Sequence, residues 1–332
     1  MCVVLIALTF LYTGAVDDGA GNRGKVLVFC RTPKAASSTS ADIMKQLSDL
    51  QGYNMHYVND RNQYWPSSSQ LMNWLAQMPD GSLYVNHCYY IEDHLWLNRI
   101  KDFQGKNATK AALYDPRRYI WINIVREPIE RAISLYYYMV DESMRKERAV
   151  EEVERRAAKG FCMCPGLEFN QCVIRTYEQC HKSVIDKEMQ LDLFYGGRVV
   201  RSIEKGLNKD TVSYNEHMRN ASRVALLNAK KYHSIALSSH IDLSFQLWKK
   251  TLPQWFGGYD SRKHYAQKRR WEGSYKVGNL SMNGAITNKA KDILKSMPSF
   301  QAEYTFYHTV ELMFYAKVAA SGLIQGAIEA AF

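Results

Sequence analysis

The turn after the first internal apolar run, "VLVFCRTPKAASSTS" at residues 26–40, carries none of the glycines of a Gly-x-x-x-x-Gly-Lys-Ser/Thr loop. That absence argues against a Walker-type nucleotide site. Long hydrophobic runs are missing too. The longest, "MCVVLIALTFLYTGAV" at residues 1–16, falls short of the roughly 20 residues that cross a bilayer. The cysteine spacings match no common zinc finger, and there is no internal repeat or low-complexity tract, so a metal-stapled finger and a solenoid are both disfavoured. Acidic residues are in deficit, 33 against 43 Lys and Arg, which leaves a net charge of +10. Such a surplus points to a polyanionic partner: nucleic acid, anionic membrane or acidic polysaccharide.

The chain has 332 residues, 46% hydrophobic and 23% charged. This suits one large α/β domain or two modest ones and is not the composition of a disordered protein. Residues 1–16 fit a signal-peptide core or a truncated signal anchor, with Thr13 and Ala15 small enough for cleavage; a buried N-terminal strand or helix is the alternative. Sequons at Asn107, Asn220 and Asn279 point to export into a lumen. Of the seven cysteines, Cys162, Cys164, Cys172 and Cys180 cluster as a locally stapled loop would. Disulfides fit these spacings better than zinc, and the odd total leaves at least one thiol free or paired between chains.

Short apolar runs alternate with helix-period segments, which predicts βα units and a mainly parallel sheet flanked by helices. Strands are expected at Lys25–Cys30, Met55–Asn59, Leu83–His87, Tyr119–Val125 and residues 233–238. Helices are expected at Ser38–Leu50, Ser69–Met78, Ile91–Ile100, Ile129–Val140, 216–231 and 242–250. Residues 141–159 read as an exposed charged helix, 161–181 as an irregular insert, and 285–319 as helical with a kink or break at Pro298.

Three features would meet at the carboxyl edge of such a sheet, where open α/β sheets take their ligands. In the opening turn, Lys34 supplies a point charge. Ala35 and Ala36 keep the turn slim, and Ser37, Ser38, Thr39 and Ser40 add hydroxyls at a helix N-terminus, which accepts phosphate readily. The bland reading is a capped helix with a surface lysine. Arg126 lies just past the most apolar strand and Ser134 lies in the next helix, so the two could share a second phosphate. The competing reading is an ion pair of Arg126 or Arg131 with Glu127 or Glu130. His87 ends a strand on the same edge, placed as a general base, although a lone histidine is more often structural. Residues 262–276 and the mixed helix 141–159 add basic patches suited to a polyanion.

Five segments, in order from about residue 25 to 316, resemble the glycosaminoglycan uronyl 2-O-sulfotransferase family. They are "RTPKAASSTS", "LYVNHCYYI", "YIWINIVREPIERAISLYYY", "FNQCVIRTYEQC" and "EYTFYHTVELMFY". The resemblance implies a P-loop-like sulfotransferase domain over 25–319, preceded by a short linker at 17–24 and followed by a tail at 320–332. It implies transfer of a sulfuryl group from 3′-phosphoadenosine 5′-phosphosulfate, without a metal, to the 2-hydroxyl of a hexuronic acid in heparan sulfate or chondroitin/dermatan sulfate. By the family's pattern, Lys34 and residues 35–39 hold the 5′-phosphosulfate, and Arg126 and Ser134 hold the 3′-phosphate. His87 takes the hydroxyl proton, Arg31 faces the acceptor or the transferring group, and Cys172 pairs with Cys180. The partner is then a glycosaminoglycan rather than nucleic acid. The implied setting is the Golgi lumen, with a single N-terminal membrane anchor if that segment is not cleaved, and a homo-oligomer is possible.

Two positions depart from that pattern: Val85 stands where a second histidine is expected, and Leu191–Arg198 lacks a second cysteine pair. Features of both the heparan and the chondroitin/dermatan types are present, so the acceptor stays open. The alternatives are a catalytically inactive glycosaminoglycan-binding protein of the same fold and a nucleotide kinase. The first is opposed by the intact Lys34, Arg126, Ser134 and His87, and the second by the missing Walker glycines.

Overall fold

The structure is a computed structural model. It describes residues 24–58, 65–103, 107–144, 161–162, 167–179, 182–183, 190–196, 212–265 and 286–323. Strand β1 (Val26–Cys30) is apolar throughout and fully buried, which is the signature of a central strand in a parallel sheet covered on both faces. It is followed by helix α1 (Ser37–Gln51), β2 (Met55–Tyr57), α2 (Ser68–Gln77) and β3 (Leu83–Asn86). Helices α3 (Asp93–Phe103) and α4 (Ala108–Ala112) then lead to β4 (Tyr119–Val125) and α5 (Pro128–Met144). All five strands of the main sheet are parallel, in the order β2-β3-β1-β4-β7, where β7 is Ser234–Leu237. The register places Phe29 opposite Val85 on one side and Ile122 on the other, and Cys30 opposite Asn86.

Local sequence explains the helix ends. At the C-terminus of α1, Gly52 has φ +74 and its N–H closes on Ser48 O at 2.8 Å, a conformation that favours glycine. A Ser67–Gln70 capping box opens α2. Between α12 (Asn288–Ser296) and α13 (Pro298–Ala320) the helix breaks outright at Pro298, which has no N–H to donate and fits the first turn of α13.

Helices α8 (Val212–Ala229), α9 (Ile241–Thr251), α10 (Pro253–Phe256) and α13 pack with the sheet into the larger core. Its aromatic centre is Trp248, which meets Phe29 of β1 edge-on at 6.4 Å and also touches Phe245 and Phe256. A second apolar cluster joins α5, through Ile129, Ala132 and Tyr136, to Phe169, Cys172 and Val173, and to Leu294 of α12. This corrects the expected irregular insert. Residues Phe169–Gln179 form a regular helix, α6, because Phe169, Cys172 and Val173 recur at helical spacing and give it a face to bury. On either side of α6, β5 (Phe161–Cys162) and β6 (Lys182–Ser183) pair as a two-stranded ribbon. Helix α7 (Gln190–Tyr195) follows, and α11 (Ser261–Tyr265) opens the basic segment.

Two cysteine findings were not anticipated or are only partly visible. Cys30 and Cys88 form a disulfide across 58 residues of chain, a pairing that the sequence reading did not expect. Cys172 is disulfide-bonded, but its expected partner Cys180 lies outside the described residues. So do residues 1–16, the linker to residue 23, the helix expected beyond Met144, residues 266–276 and the tail from 324. Among the described residues, no helix is long and apolar enough to cross a membrane.

Because Trp248 is fully buried where β1, α9 and α10 meet, Trp248→Ala should destabilise the fold by about 3–5 kcal/mol. Urea unfolding measures this, and a loss below about 1 kcal/mol would show that the core closes around the cavity.

Candidate active site

In this strand order, the chain leaves β1 toward β2 on one side, whereas it leaves β4 toward β7 on the other. The divergence opens a crevice at the carboxyl ends of β1 and β4, the usual ligand position in open α/β sheets. The turn from Arg31 to Ala36 lines it. Lys34 and Ala36 adopt left-handed backbone (φ 63 and 56) without being glycine, at a cost on the order of 1–3 kcal/mol each. Packing holds this shape. Ala35 is fully buried, the Ala35 N–H donates to Thr32 O at 3.3 Å, and the Thr32 hydroxyl donates to Asn123 Oδ1 of β4 at 2.8 Å. Ala36 is the N-cap of α1 and has no side-chain oxygen, so the first amides of this 15-residue helix receive no cap from it. The neighbouring hydroxyls divide: Ser37 is buried, Ser38 is exposed, Thr39 is half-buried and Ser40 bonds back to Ala36 O at 3.0 Å.

Arg126 enters from β4. Its backbone is clamped by the buried Gln190, which accepts from Arg126 N–H at 3.2 Å and donates to Arg126 O at 2.9 Å. Its guanidinium donates to Lys34 O at 3.3 Å and pairs with Glu130, also at 3.3 Å. The ion pair named as the competing reading is therefore present, but at an exposed i,i+4 position such a pair is worth only a few tenths of a kcal/mol. Glu130, Ser134 and Tyr138 recur every four residues and so share one face of α5. The Lys34 ammonium sits 4.3 Å from the Tyr138 ring centre. Arg126, Lys34 and the Ser134 face of α5 thus converge. Burial, with the Arg126 charge behind it, lowers the Lys34 pKa.

His87 enters from β3, one residue beyond the strand. Its Nδ1 lies 2.7 Å from Arg31 O, which can only accept, so Nδ1 carries the proton and Nε2 keeps the lone pair. The His87 N–H donates to Asn86 Oδ1 at 2.7 Å, and the Trp65 ring stacks on the imidazole at 5.4 Å. Burial first, and then the Arg31 charge, pull the His87 pKa down to about 4, although the bond to Arg31 O works the other way. Arg31 is itself held, donating to the Tyr57 hydroxyl and to Ser38 Oγ, each at 3.0 Å.

The structure therefore brings Arg31, Lys34, residues 35–39, Arg126, Ser134 and His87 to one edge. Of the sequons, Asn107 is exposed as the N-cap of α4. Asn220 is exposed on α8, beside the buried Ser222. Asn279 lies outside the described residues. Among the described residues, no cluster of His, Cys, Asp or Glu is arranged to hold a metal. The sequence reading missed Trp65, Tyr57, Gln190 and Asn123. Only Asn123 left a signal, as the one polar side chain inside "YIWINIV".

A parallel sheet with a cationic turn at its switch point defines the chain as an open α/β protein, a class whose ligands usually sit at the carboxyl edge of the strands. Within that class, it belongs to the sulfotransferase family. The profile described as "Sulfotransferase family" matches residues 22–254, which include Arg31, Lys34, His87, Arg126 and Ser134. It is similar to the human uronyl 2-sulfotransferase, 20% identical over 323 residues, which span 93% of this chain and 68% of the relative. The mouse uronyl 2-sulfotransferase matches at the same identity and coverage. The heparan sulfate 2-O-sulfotransferase hst-2 of Caenorhabditis elegans is 29% identical over 121 residues, 35% of this chain and 32% of that protein.

Two half-buried histidines generate a pH dependence. His87 and His233 have folded pKa values pulled from 6.5 to about 4 and about 3, in both cases chiefly by burial. The unfolded chain therefore takes up these protons first. Their contribution is present above about pH 6.5 and is lost as the pH falls from there toward about 4 for His87 and about 3 for His233. Urea midpoints should drop over that window, and the drop should be shallower in His233→Asn. Equal slopes in the two proteins would remove His233 from this account.

Proposed function

We propose that this protein transfers a sulfuryl group from 3′-phosphoadenosine 5′-phosphosulfate to the 2-hydroxyl of a hexuronic acid in a glycosaminoglycan, in the lumen of the secretory pathway. One observation carries the reading. The turn Arg31–Lys34 is contacted from both sides, by Arg126 at Lys34 O and by His87 at Arg31 O, so anion-binding and proton-accepting groups face one space. The names of the relatives, uronyl 2-sulfotransferase and heparan sulfate 2-O-sulfotransferase, support the acceptor class. The net charge of +10 suits a polyanionic acceptor.

The residues present fit such a donor. The first turn of α1 has no side-chain cap at Ala36, so its amides suit one phosphate-type group, with Lys34 beside them. Arg126 and Ser134 suit a second, with the weak Glu130 pair giving way. When bound, the donor supplies a sulfuryl group carried on a phosphate leaving group. Lys34 brings positive charge to the side where leaving-group charge develops, and because it is preorganised it need not reorient from water. His87, with Nδ1 committed to Arg31, offers Nε2 to the proton of the attacking hydroxyl. A histidine pulled to about 4 is neutral at pH 7 but a weak base. Anionic ligands in the crevice act against that depression and strengthen the base as the site fills.

Three outcomes test this. His87→Gln should lower kcat roughly 10²- to 10⁴-fold, while calorimetric affinity for adenosine 3′,5′-bisphosphate stays within about twofold. Arg126→Ala should weaken that affinity roughly 10- to 100-fold. Saturating bisphosphate should raise the His87 pKa in an NMR titration of the parent. Transfer assays on desulfated heparan and dermatan acceptors, with disaccharide analysis, distinguish the acceptors. Sulfate appearing only at amino or 6-hydroxyl positions would overturn the 2-hydroxyl assignment.

A further inference from the structure

The Cys30–Cys88 bridge lies between strands that are already paired, since β1 and β3 are in register from Leu27↔Leu83 to Cys30↔Asn86. Holding the sheet together is therefore not its distinctive contribution. The bridge sits at the point where the ladder ends. It joins the residue just before Arg31 to the residue just after His87, and Arg31 O is the acceptor for His87 Nδ1. Beyond Asn86 the β3 strand has ended. A side chain there depends on local ties to keep its position against β1.

We propose that the Cys30–Cys88 disulfide is a positioning element for the proton-accepting histidine. It fixes Cys88 against the end of β1, so that the His87 Nδ1–H bond to Arg31 O persists and the lone pair stays on Nε2. The proposal rests on the reading of His87 as the base. Both cysteines are fully buried, so the bridge is a permanent brace rather than an exposed, reducible switch. Further ties are the Asn86 amide oxygen on the His87 N–H and the Trp65 ring on the imidazole face. Neither of these contacts selects the tautomer, whereas the Arg31 carbonyl does.

The test compares the parent chain with Cys30→Ala/Cys88→Ala and, to preserve more core volume, Cys30→Val/Cys88→Ala. Leu294→Ala, in the second apolar cluster, is the stability control. Long-range nitrogen–proton NMR reads the His87 tautomer without reference to activity. The parent should be dominated by the Nδ1–H form, and both bridge variants should show a mixture. Their kcat should fall about 10-fold, with bisphosphate affinity within about twofold, while Leu294→Ala keeps kcat within about twofold. An unchanged tautomer, or an equal kcat loss in Leu294→Ala, overturns the proposal. Failure of both bridge variants to fold, judged by circular dichroism, overturns it as well, because the bridge is then a requirement of folding. If His87→Gln keeps full kcat while the tautomer still shifts, the base assignment fails and the bracing role stands.

Discussion

The main chain at Arg31 holds the site from both directions. Its N–H donates to Asn86 O at 2.7 Å, the last rung that β1 shares with the β3 side, and its carbonyl accepts from His87 at 2.7 Å. A backbone carbonyl cannot switch roles, so this one contact dictates the proton's position on the imidazole. The guanidinium of the same residue is fixed by Tyr57 and Ser38, and its charge helps keep His87 neutral. One residue thereby sets the tautomer of the histidine and adds to the loss of basicity that burial begins.

The opposite wall is braced from the far end of the sequence. Gln190 clamps the Arg126 backbone, and the next N–H, of Leu191, donates to Glu303 on α13 at 2.7 Å. Glu303 is buried, and burial raises its pKa while Arg131 opposes the rise. From the next residue of α13, the Tyr304 hydroxyl donates to the carboxylate of Glu127, the residue after Arg126. The C-terminal helix thus reaches the crevice without lining it, through polar groups that are costly to leave unpaired. This gives the helix a role at the site beyond its part in the core.

The alternation of short apolar runs with helical periods was sufficient to expect a parallel α/β sheet. Tyr119–Val125 matches the observed strand residue for residue, because seven buried positions leave little ambiguity. Lys34, Arg126 and His87 were legible because each follows an apolar strand, and strand ends share an edge. Trp65 and Gln190 were not. Each reaches the site by tertiary packing from a segment without a strand signal, and Trp65 does so with a positive φ that its residue type does not announce. The helix Phe169–Gln179 was hidden for another reason: Cys172, within a cluster of four cysteines, invited a covalent reading and masked a 3.6-residue period. The Cys30–Cys88 pair was invisible to spacing, because 58 residues separate two cysteines that only the strand order makes neighbours.

The central place of β1 has a consequence for the chain as it is made. Val26–Cys30 is the earliest strand among the described residues, yet it lies between β3 and β4 and cannot be covered on both sides until Tyr119–Val125 has followed. At about 5–20 residues per second that interval is roughly 5–20 s, during which a wholly apolar segment stays partly unpaired. A disulfide to Cys88 becomes available before β4 does, since Cys88 precedes Tyr119 in the chain. In an oxidising compartment, the same bridge can tether the nascent β1–β3 pair while the ribosome is still delivering the strand that completes it.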